Sequence, residues 1–281
     1  MRFDWYAATV PQVEAHFLAT SIARELGGSL VVLPRSLNGY TMALAVERMG
    51  SRVATVLYGG KNGAPHAFAT SEHAPAFARL LRRSFPAHNV TRVDVCEDFD
   101  ERGVFERLLA ELRGVRDDRA LAYSMAGAWD DEGQGVAGRT FYLGSRRSAV
   151  FARLYEKGKE LLTHELPEGV EPSLDLARLE LVVRPEGDSR RHAAGAEPEA
   201  FWGYAVWAQD VAARVLGLDV ERVNIKVPRR SDRDRALQAM VQQYAKHLVA
   251  EADEVGGGAV LGLDLVRRAR LWLARGEENA A

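Results

Sequence analysis

The chain has 281 residues, of which 47% are hydrophobic and 27% are charged. This length suffices for one or two globular domains with a substantial core, and the composition excludes a collagen-like or largely disordered chain. The net charge of −2 argues against a protein that coats nucleic acid over its whole surface, but it allows a local basic groove.

Predicted elements in the first two-thirds of the chain follow an order that occurs twice. The first run contains strands at Phe3–Val10, Tyr40–Met49, Arg52–Tyr58 and His66–Thr70, and helices at Val13–Leu26 and Ala74–Phe85. The second run contains strands at Val90–Asp98, Arg139–Leu143, Phe151–Lys157 and Ala177–Arg184, and a helix at Arg102–Leu112. This order predicts an α+β fold in which one antiparallel β-sheet, built from duplicated βαββ-like units, carries helices on one face.

The last third of the chain has a different character. Pro185–Glu199 combines glycine, proline and charge without periodicity, and we interpret it as a linker. Helical spacing follows over Pro198–Leu216, Asp232–Ala252 and Ala259–Ala274. We therefore predict a main domain over residues 1–190 and a helical C-terminal region over residues 196–281.

Two sequence features bear on location and on metals. No apolar run approaches the 18 residues of a transmembrane helix, and the first residues lack the apolar core of a signal peptide, so we expect a cytoplasmic protein without membrane contact. Cys96 is the only cysteine, which excludes an internal disulfide and a Cys-x-x-Cys zinc site. A metal would be held by carboxylates and histidines, which favours Mg²⁺ or Mn²⁺.

Three predicted strands carry ionisable side chains on one face and apolar side chains on the other. The polar faces consist of Arg92, Asp94, Cys96 and Asp98 in the first, Arg153, Tyr155 and Lys157 in the second, and Arg178, Glu180 and Arg184 in the third. A solvated sheet face explains such a pattern without any chemistry. Two carboxylates, a tyrosine and a lysine within strand interiors also form a set that suits phosphodiester transfer.

In that interpretation each residue type has a chemical role. Asp94 and Glu180 are hard oxygen ligands for a divalent cation, and His66 would complete the metal site unless it is simply a histidine at a turn edge. Tyr155 is the candidate nucleophile, and Lys157 would steady the phosphate. Tyr142, in the neighbouring predicted strand, is the nearest competitor of Tyr155, and an ordinary sheet tyrosine is the alternative for either residue.

Four segments carry a resemblance to a known family. The chain's FDWYAATVP, VTRVDVCEDF, GRTFYLGSRRSAVFARLYEKGKE and ARLELVVR resemble the family patterns IDWLSFT, VTRIDLAxDD, TxYxGSRxSxxxxRxYxKxxE and WRxExxxR, in the same order. The segments extend from Phe3 to Arg184 and resemble the replication initiation factor family. This family comprises rolling-circle replication initiators and relaxases of plasmids, filamentous phages and integrative elements.

The resemblance implies a metal-dependent enzyme with a fold like that of the HUH endonucleases. Such an enzyme nicks and rejoins one strand at a specific site through a covalent 5′-phosphotyrosine. By residue-wise match, Tyr155 is the nucleophile followed by Lys157, and Asp94 and Glu180 are the acids. The chain has no His-hydrophobic-His motif, and Ala177 stands where the family often has tryptophan. A non-catalytic origin-binding regulator of the same fold is the alternative.

The implied partners are origin DNA, single-stranded or as a hairpin, together with a host helicase and polymerase and a second copy in a homodimer. No nucleotide-binding glycine loop is present, so a partner would have to unwind the DNA. The basic residues that we predict to contact DNA are Arg139, Arg146, Arg147, Arg153, Lys159, Arg229 and Arg230, with solvated loop charge as the alternative. Tyr40, Tyr58 and Trp129 would stack on unpaired bases or belong to the core.

Overall fold

The computed structural model describes residues 1–34, 36–129, 138–163, 169, 171–223 and 232–278. The chain divides into two compact units, Met1–Val227 and Pro228–Ala281. This division falls well beyond the boundary at residues 190–196 that the sequence suggested. Among the described residues, no helix is both long and apolar enough to cross a lipid bilayer.

The first unit is built on one ten-stranded antiparallel sheet. Its strands are β1 (Arg2–Thr9), β2 (Ser29–Val32), β3 (Met42–Arg48), β4 (Ser51–Tyr58), β5 (His66–Thr70), β6 (Asn89–Asp100), β7 (Tyr123–Ala126), β8 (Thr140–Leu143), β9 (Val150–Tyr155) and β10 (Leu176–Val183). The strand order across the sheet is β2-β3-β4-β5-β1-β6-β10-β9-β8-β7. The predicted α+β fold with one antiparallel sheet is therefore confirmed.

Helices connect and cover these strands. The α-helices of the first unit are α1 (Ala15–Leu26), α2 (Ala74–Ser84), α3 (Val104–Arg119), α4 (Lys157–Leu161), α5 (Ser189–Gly195) and α6 (Val206–Val211). Short 3₁₀ segments at Ser71–His73 and Pro198–Tyr204 and a π-helical segment at Ala212–Leu216 complete the unit.

The sheet consists of two halves with the same order of elements. The first half runs β1, α1 and the meander β2 to β5, which returns β5 to the side of β1. The second half runs β6, α3 and the meander β7 to β10, which returns β10 to the side of β6. Strands β1 and β6 pair with each other and join the halves. Each half is thus a larger unit than the predicted βαββ, because each meander has four strands, and the first of them is the short strand β2 or β7.

The hydrophobic core lies between one face of the sheet and the helices α1, α2 and α3. Alternation within β10 buries Leu179, Leu181 and Val183 in this core, and the same alternation within β6 buries Val93 and Val95. Each such leucine or valine contributes roughly 1.5–3 kcal/mol on burial. The core therefore fixes which face of each strand remains for polar side chains.

The structure corrects two local predictions. The segment interpreted as a linker contains α5, because Ala193 and Ala194 are buried against the core and hold these residues in a helix. The strand predicted over Phe151–Lys157 ends at Tyr155, and Lys157 is the first residue of α4.

The second unit contains two helices, α7 (Asp232–Val255) and α8 (Gly258–Glu278). The helices predicted over Asp232–Ala252 and Ala259–Ala274 are therefore confirmed, with extended ends. The turn between them lies at Gly256 and Gly257, and both residues have positive φ angles (91° and 118°), which glycine adopts without steric strain.

Candidate active site

The sheet face opposite the helices α1 to α3 brings the predicted polar residues together. Directly paired residues on neighbouring strands point to the same face of a sheet. Glu180 of β10 pairs with Arg153 of β9, and Arg178 of β10 pairs with Tyr155 of β9. Asp94 lies two residues along β6 from the partner of Glu180. Carboxylates, arginines and the tyrosine therefore share one surface.

These residues surround a cavity of about 590 Å³. Its lining comes from six strands, β1, β5, β6, β8, β9 and β10, and from the segments before β8 and after β9. The lining includes Asp4, Trp5, Thr70, Asp94, Arg139, Tyr142, Arg153, Tyr155, Lys157, Lys159 and Arg178. The cavity is thus polar and lies across the line where the two halves of the sheet meet.

Two buried carboxylates lie beside this cavity, and each is paired with an arginine. Arg92 donates two hydrogen bonds to Asp94, at 2.8 and 2.6 Å. Arg153 donates one hydrogen bond to Oε1 of Glu180 at 2.5 Å. Because an unpaired buried charge is costly, these arginines explain how both acids are accommodated inside the fold.

One carboxylate oxygen of Glu180, Oε2, is available to bind a ligand. Its side chain is fully buried, and in the described part of the chain Oε2 has no hydrogen-bond partner. The pKa of Glu180 is raised to about 7, because burial outweighs the opposing effect of Arg153 and the charge of Asp94 adds to the effect of burial. The carboxyl of Glu180 therefore changes its charge near neutral pH.

Tyr155 lies at the end of β9 between two cationic side chains. The Arg153 guanidinium carbon is 5.5 Å from the centre of its ring, and Nζ of Lys157 is 5.8 Å away. Burial raises the pKa of Tyr155 above its usual value of 10, so the phenol is neutral at pH 7. The ring is thus partly shielded by protein and sits in positive surroundings.

Lys157 reaches this position from a helix. A Cβ at the next residue, Gly158, would approach the backbone oxygen of Ser173 to 1.8 Å, so only glycine allows α4 to lie this close to the chain before β10. Lys157 also pairs with Glu160 three residues later. The packing of α4 therefore fixes Lys157 near Tyr155.

Tyr142 of β8, the competing tyrosine, lines the same cavity. It pairs with Arg153 of β9, and the guanidinium carbon of Arg146 lies 4.8 Å from the centre of its ring. Arg146 and Arg147 are exposed in the turn between β8 and β9, which begins at Gly144 with a φ of 83°. The structure thus offers two tyrosines on one face, with exposed arginines next to Tyr142.

Arg178, directly opposite Tyr155, has a partly structural role. It donates hydrogen bonds of 2.5 and 2.8 Å to Asp98 and one of 2.8 Å to Asp4. The arginines Arg92 and Arg178 and the acid Asp4 had received no role in the sequence interpretation. The alternation of β6 and β10 placed both arginines on the polar face, but their pairing across strands could not be deduced from it.

The predicted metal ligand His66 lies elsewhere on the sheet. His66 of β5 pairs with Thr9 of β1. Asp94 of β6 pairs instead with Trp5 of β1, and the partner of Trp5 in β5 is Thr70. Four residues of strand, or about 13 Å, separate His66 from the level of Asp94. Burial lowers the pKa of His66 to about 4, and the neutral ring stacks on Tyr40. Within the described ranges, no three His, Cys, Asp or Glu residues form a metal-binding group.

Arg139 and Lys159, two of the predicted DNA contacts, are buried around Glu156. Arg139 donates hydrogen bonds of 3.2 and 3.0 Å to Glu156, and Nζ of Lys159 lies 3.3 Å from it. Arg139 also pairs with Glu106 at 2.7 Å. These contacts give both residues a structural role, so we leave them out of the DNA surface proposed below.

Two further predicted DNA contacts, Arg229 and Arg230, lie outside the described residues.

We expect Arg139→Leu to lower the free energy of unfolding by about 3 kcal/mol, because it leaves the buried Glu156 carboxylate without its main partner. Urea denaturation measures this change. Arg147→Leu, at an exposed turn, is the matched control and should stay within about 0.5 kcal/mol of the parent. Equal stability of the two variants would contradict the structural role of Arg139.

Comparison with protein families identifies one family model that matches part of the chain. Residues 88–189 match the family model for replication initiation factors, and this segment holds Asp94, Tyr155 and Glu180. The resemblance of the chain to that family is therefore confirmed.

The chain is also similar to a protein of known structure. The rolling circle replication initiator protein from Geobacillus stearothermophilus is similar to this chain with a TM-score of 0.50 and 20% identity. The similarity covers 72% of this chain and 82% of that one, and at this identity it shows the fold. No curated protein sequence gives a significant match.

Proposed function

We propose that this chain is a rolling-circle replication initiator of a plasmid, phage or integrative element, which nicks and rejoins one strand of origin DNA. One observation carries the proposal. Within the segment that matches the replication initiation factors, Tyr155 lines a polar cavity together with Asp94, and Glu180 lies on the neighbouring strand. A nucleophile, cations and carboxylates thus meet on one sheet face.

The proposed reaction is a transesterification. Oη of Tyr155 forms a bond to the phosphorus while the bond from phosphorus to the 3′ oxygen breaks. The phenol proton is released to solvent, and the departing oxygen takes up a proton to become a 3′-hydroxyl. The resulting 5′-phosphotyrosine conserves the ester bond, so attack by a 3′-hydroxyl reverses the step and rejoins the strand. A host polymerase would extend the free 3′-hydroxyl.

Arg153 and Lys157 are the residues that we propose to stabilise the phosphate. Both are cationic side chains close to the Tyr155 ring. Fixed cations near the reacting phosphate stabilise the charge that develops in the transition state. Lys157 would also favour the phenolate form of Tyr155 as its proton leaves.

Asp94 and Glu180 fit a divalent cation in their chemistry. Both are carboxylates, and Oε2 of Glu180 is a buried oxygen without a hydrogen-bond partner among the described residues. Mg²⁺ or Mn²⁺ held there would polarise the scissile phosphate and neutralise its developing charge. Arg92 and Arg153 neutralise these acids in the structure.

Arg146 and Arg147 are the exposed cations that we propose to contact the DNA backbone. We expect the double variant Arg146→Ala, Arg147→Ala to bind origin DNA more weakly. The slope of the logarithm of the affinity against the logarithm of the salt concentration should become smaller, because about two fewer counterions are released on binding. Fluorescence polarisation across a salt series measures this slope. Arg107→Ala, which removes an exposed arginine of α3, is the control and should keep the parent slope. An unchanged slope in the double variant would contradict the assignment.

A nicking assay tests the proposed function. Single-stranded and supercoiled DNA from the region flanking the gene is incubated with the chain and Mn²⁺, and products are separated under denaturing conditions. The proposal predicts cleavage that leaves protein covalently attached to the 5′ end. Tight binding without cleavage would instead favour the non-catalytic regulator, and cleavage without attached protein would contradict a tyrosine nucleophile.

A further inference from the structure

Four aromatic side chains continue the active-site face into the first half of the sheet. Trp5 of β1 lies opposite Asp94, and Phe68 and His66 alternate along β5 on the same face as Thr70, the partner of Trp5. Tyr40, two residues before β3, stacks on His66. We call Trp5, Phe68, His66 and Tyr40 the aromatic row.

Neighbouring rings of the row are in contact or nearly so. The rings of Trp5 and Phe68 are 5.2 Å apart and almost parallel, at 7°. Phe68 and His66 are 6.3 Å apart, and His66 and Tyr40 are 6.0 Å apart at 22°. On the other side of Trp5, the Arg92 guanidinium lies 4.4 Å from its ring. The row therefore begins at the arginine that binds Asp94.

The row is only partly buried, unlike the aromatic residues of the core. Tyr6, which neighbours Trp5 in β1, is fully buried under the helices, and so are Ala67 and Ala69, which flank Phe68 in β5. The four side chains of the row each keep part of their surface accessible to solvent. Large flat rings at a half-exposed sheet face are suited to binding planar ligands.

The far end of the row carries polar groups. Tyr40 lines a hollow of about 330 Å³ together with Asn38, Lys61 and Asn62. Lys61 is exposed and supplies a cation for a phosphate, and the two amides supply hydrogen-bond donors and acceptors. Cationic side chains thus lie at both ends of the aromatic surface, with Arg92 at one end and Lys61 at the other.

We propose that the aromatic row is a stacking platform that holds unpaired bases of the origin strand next to the nicking site. Aromatic side chains combined with cationic groups are the usual means of binding single-stranded nucleic acid, because bases stack on the rings while phosphates contact the cations. Double-stranded DNA keeps its bases stacked on each other and cannot use the rings. The inference rests on the proposed function, since it takes its ligand from the nicking reaction.

The neutral state of His66 supports this role. Its lowered pKa of about 4 keeps the imidazole uncharged at physiological pH, so it acts as a flat ring beside Phe68 and Tyr40. Its contacts within the row, Phe68 and Tyr40, are both aromatic, and burial is the cause of the lowered pKa. The arrangement thus gives the histidine a use that needs no metal.

A binding experiment tests the row separately from nicking. The Tyr155→Phe chain, which we expect not to cleave, is titrated with a fluorescein-labelled single strand from the flanking DNA and with its duplex. Tyr40→Leu and Phe68→Leu in this background keep apolar volume but remove the flat ring. We expect each to weaken single-strand binding by about tenfold and to leave duplex binding unchanged. Tyr40→Phe, which keeps the ring, should bind like the parent.

Phe17→Leu is the matched control. Phe17 is an exposed aromatic residue on α1, and its replacement should not alter single-strand binding. Thermal melting of each variant verifies folding, and Tyr40→Leu is the decisive variant because Tyr40 lies outside the strands of the sheet and is only partly buried. Parent-like binding by Tyr40→Leu and Phe68→Leu would overturn the proposal that the aromatic row binds bases, and it would leave the proposed nicking function intact. Absence of single-strand binding by the parent would overturn both.

Discussion

Tyr155→Phe should abolish nicking of origin DNA, with a loss on the order of 10⁴-fold in the cleavage rate. The substitution removes only Oη, the atom that forms the bond to phosphorus, and it keeps the ring that packs between Arg153 and Lys157. Binding of the same DNA should therefore remain near the parent level. Denaturing gels with 5′-labelled and 3′-labelled strands measure cleavage, and polarisation measures binding.

Tyr142→Phe is the matched control for this experiment. Both tyrosines line the cavity and both contact an arginine over the ring, but only Tyr155 lies beside Lys157. We expect Tyr142→Phe to nick within about fivefold of the parent, a change of about 1 kcal/mol that the loss of one hydrogen-bonding hydroxyl produces. Cleavage that survives Tyr155→Phe and disappears in Tyr142→Phe would transfer the nucleophile to Tyr142.

Glu180→Gln should lower metal-dependent nicking by about 10²–10³-fold. Glutamine preserves the volume at a fully buried position but removes the negative charge that we propose to hold the cation. Calorimetric titration with Mn²⁺ in the absence of DNA gives a readout independent of cleavage, and the affinity should fall in parallel. Glu101→Gln, at an exposed acid beyond the end of β6, is the control and should leave both quantities unchanged.

The pKa of Glu180 sets the pH dependence of this site. Because burial raises the pKa to about 7, the carboxyl carries a proton at lower pH and must lose it before a cation binds. The Mn²⁺ affinity of the parent should therefore fall by about tenfold per pH unit below pH 7 and level off above it. The Mn²⁺ affinity of Glu180→Gln should not show this fall below pH 7. A parent affinity that is constant from pH 6 to 8 would contradict the assignment of Glu180.

The sequence predicted the polar face of the sheet well because strand alternation is a local property. Asp94, Glu180 and Tyr155 lie on one face in the structure, and the apolar residues between them are buried as the pattern indicates. The edge strands β2 and β7 escaped prediction because every one of their residues is exposed. Without a buried face, a strand has no alternation to detect.

Position along a strand was harder to predict than the face. His66 was predicted to complete a metal site with Asp94 and Glu180, but the register between β5, β1 and β6 decides how far His66 lies from Asp94. The role of Arg139 depended on Glu156, a partner 17 residues away across a strand pair. Charge counts within a segment indicate a basic cluster and do not show which charges are neutralised by buried acids.

The duplicated order of the sheet also has a consequence for how the chain folds during synthesis. Strands β2 to β5 pair only with one another and with β1, so the arrangement β2-β3-β4-β5-β1 can form once residues up to Thr70 have left the ribosome. The outer edge of β1 then stays unpaired until β6 emerges, and an open strand edge is prone to aggregation. The interval between the emergence of Thr70 and the emergence of Asp100 from the ribosome is therefore the one in which we expect the nascent chain to depend most on chaperones.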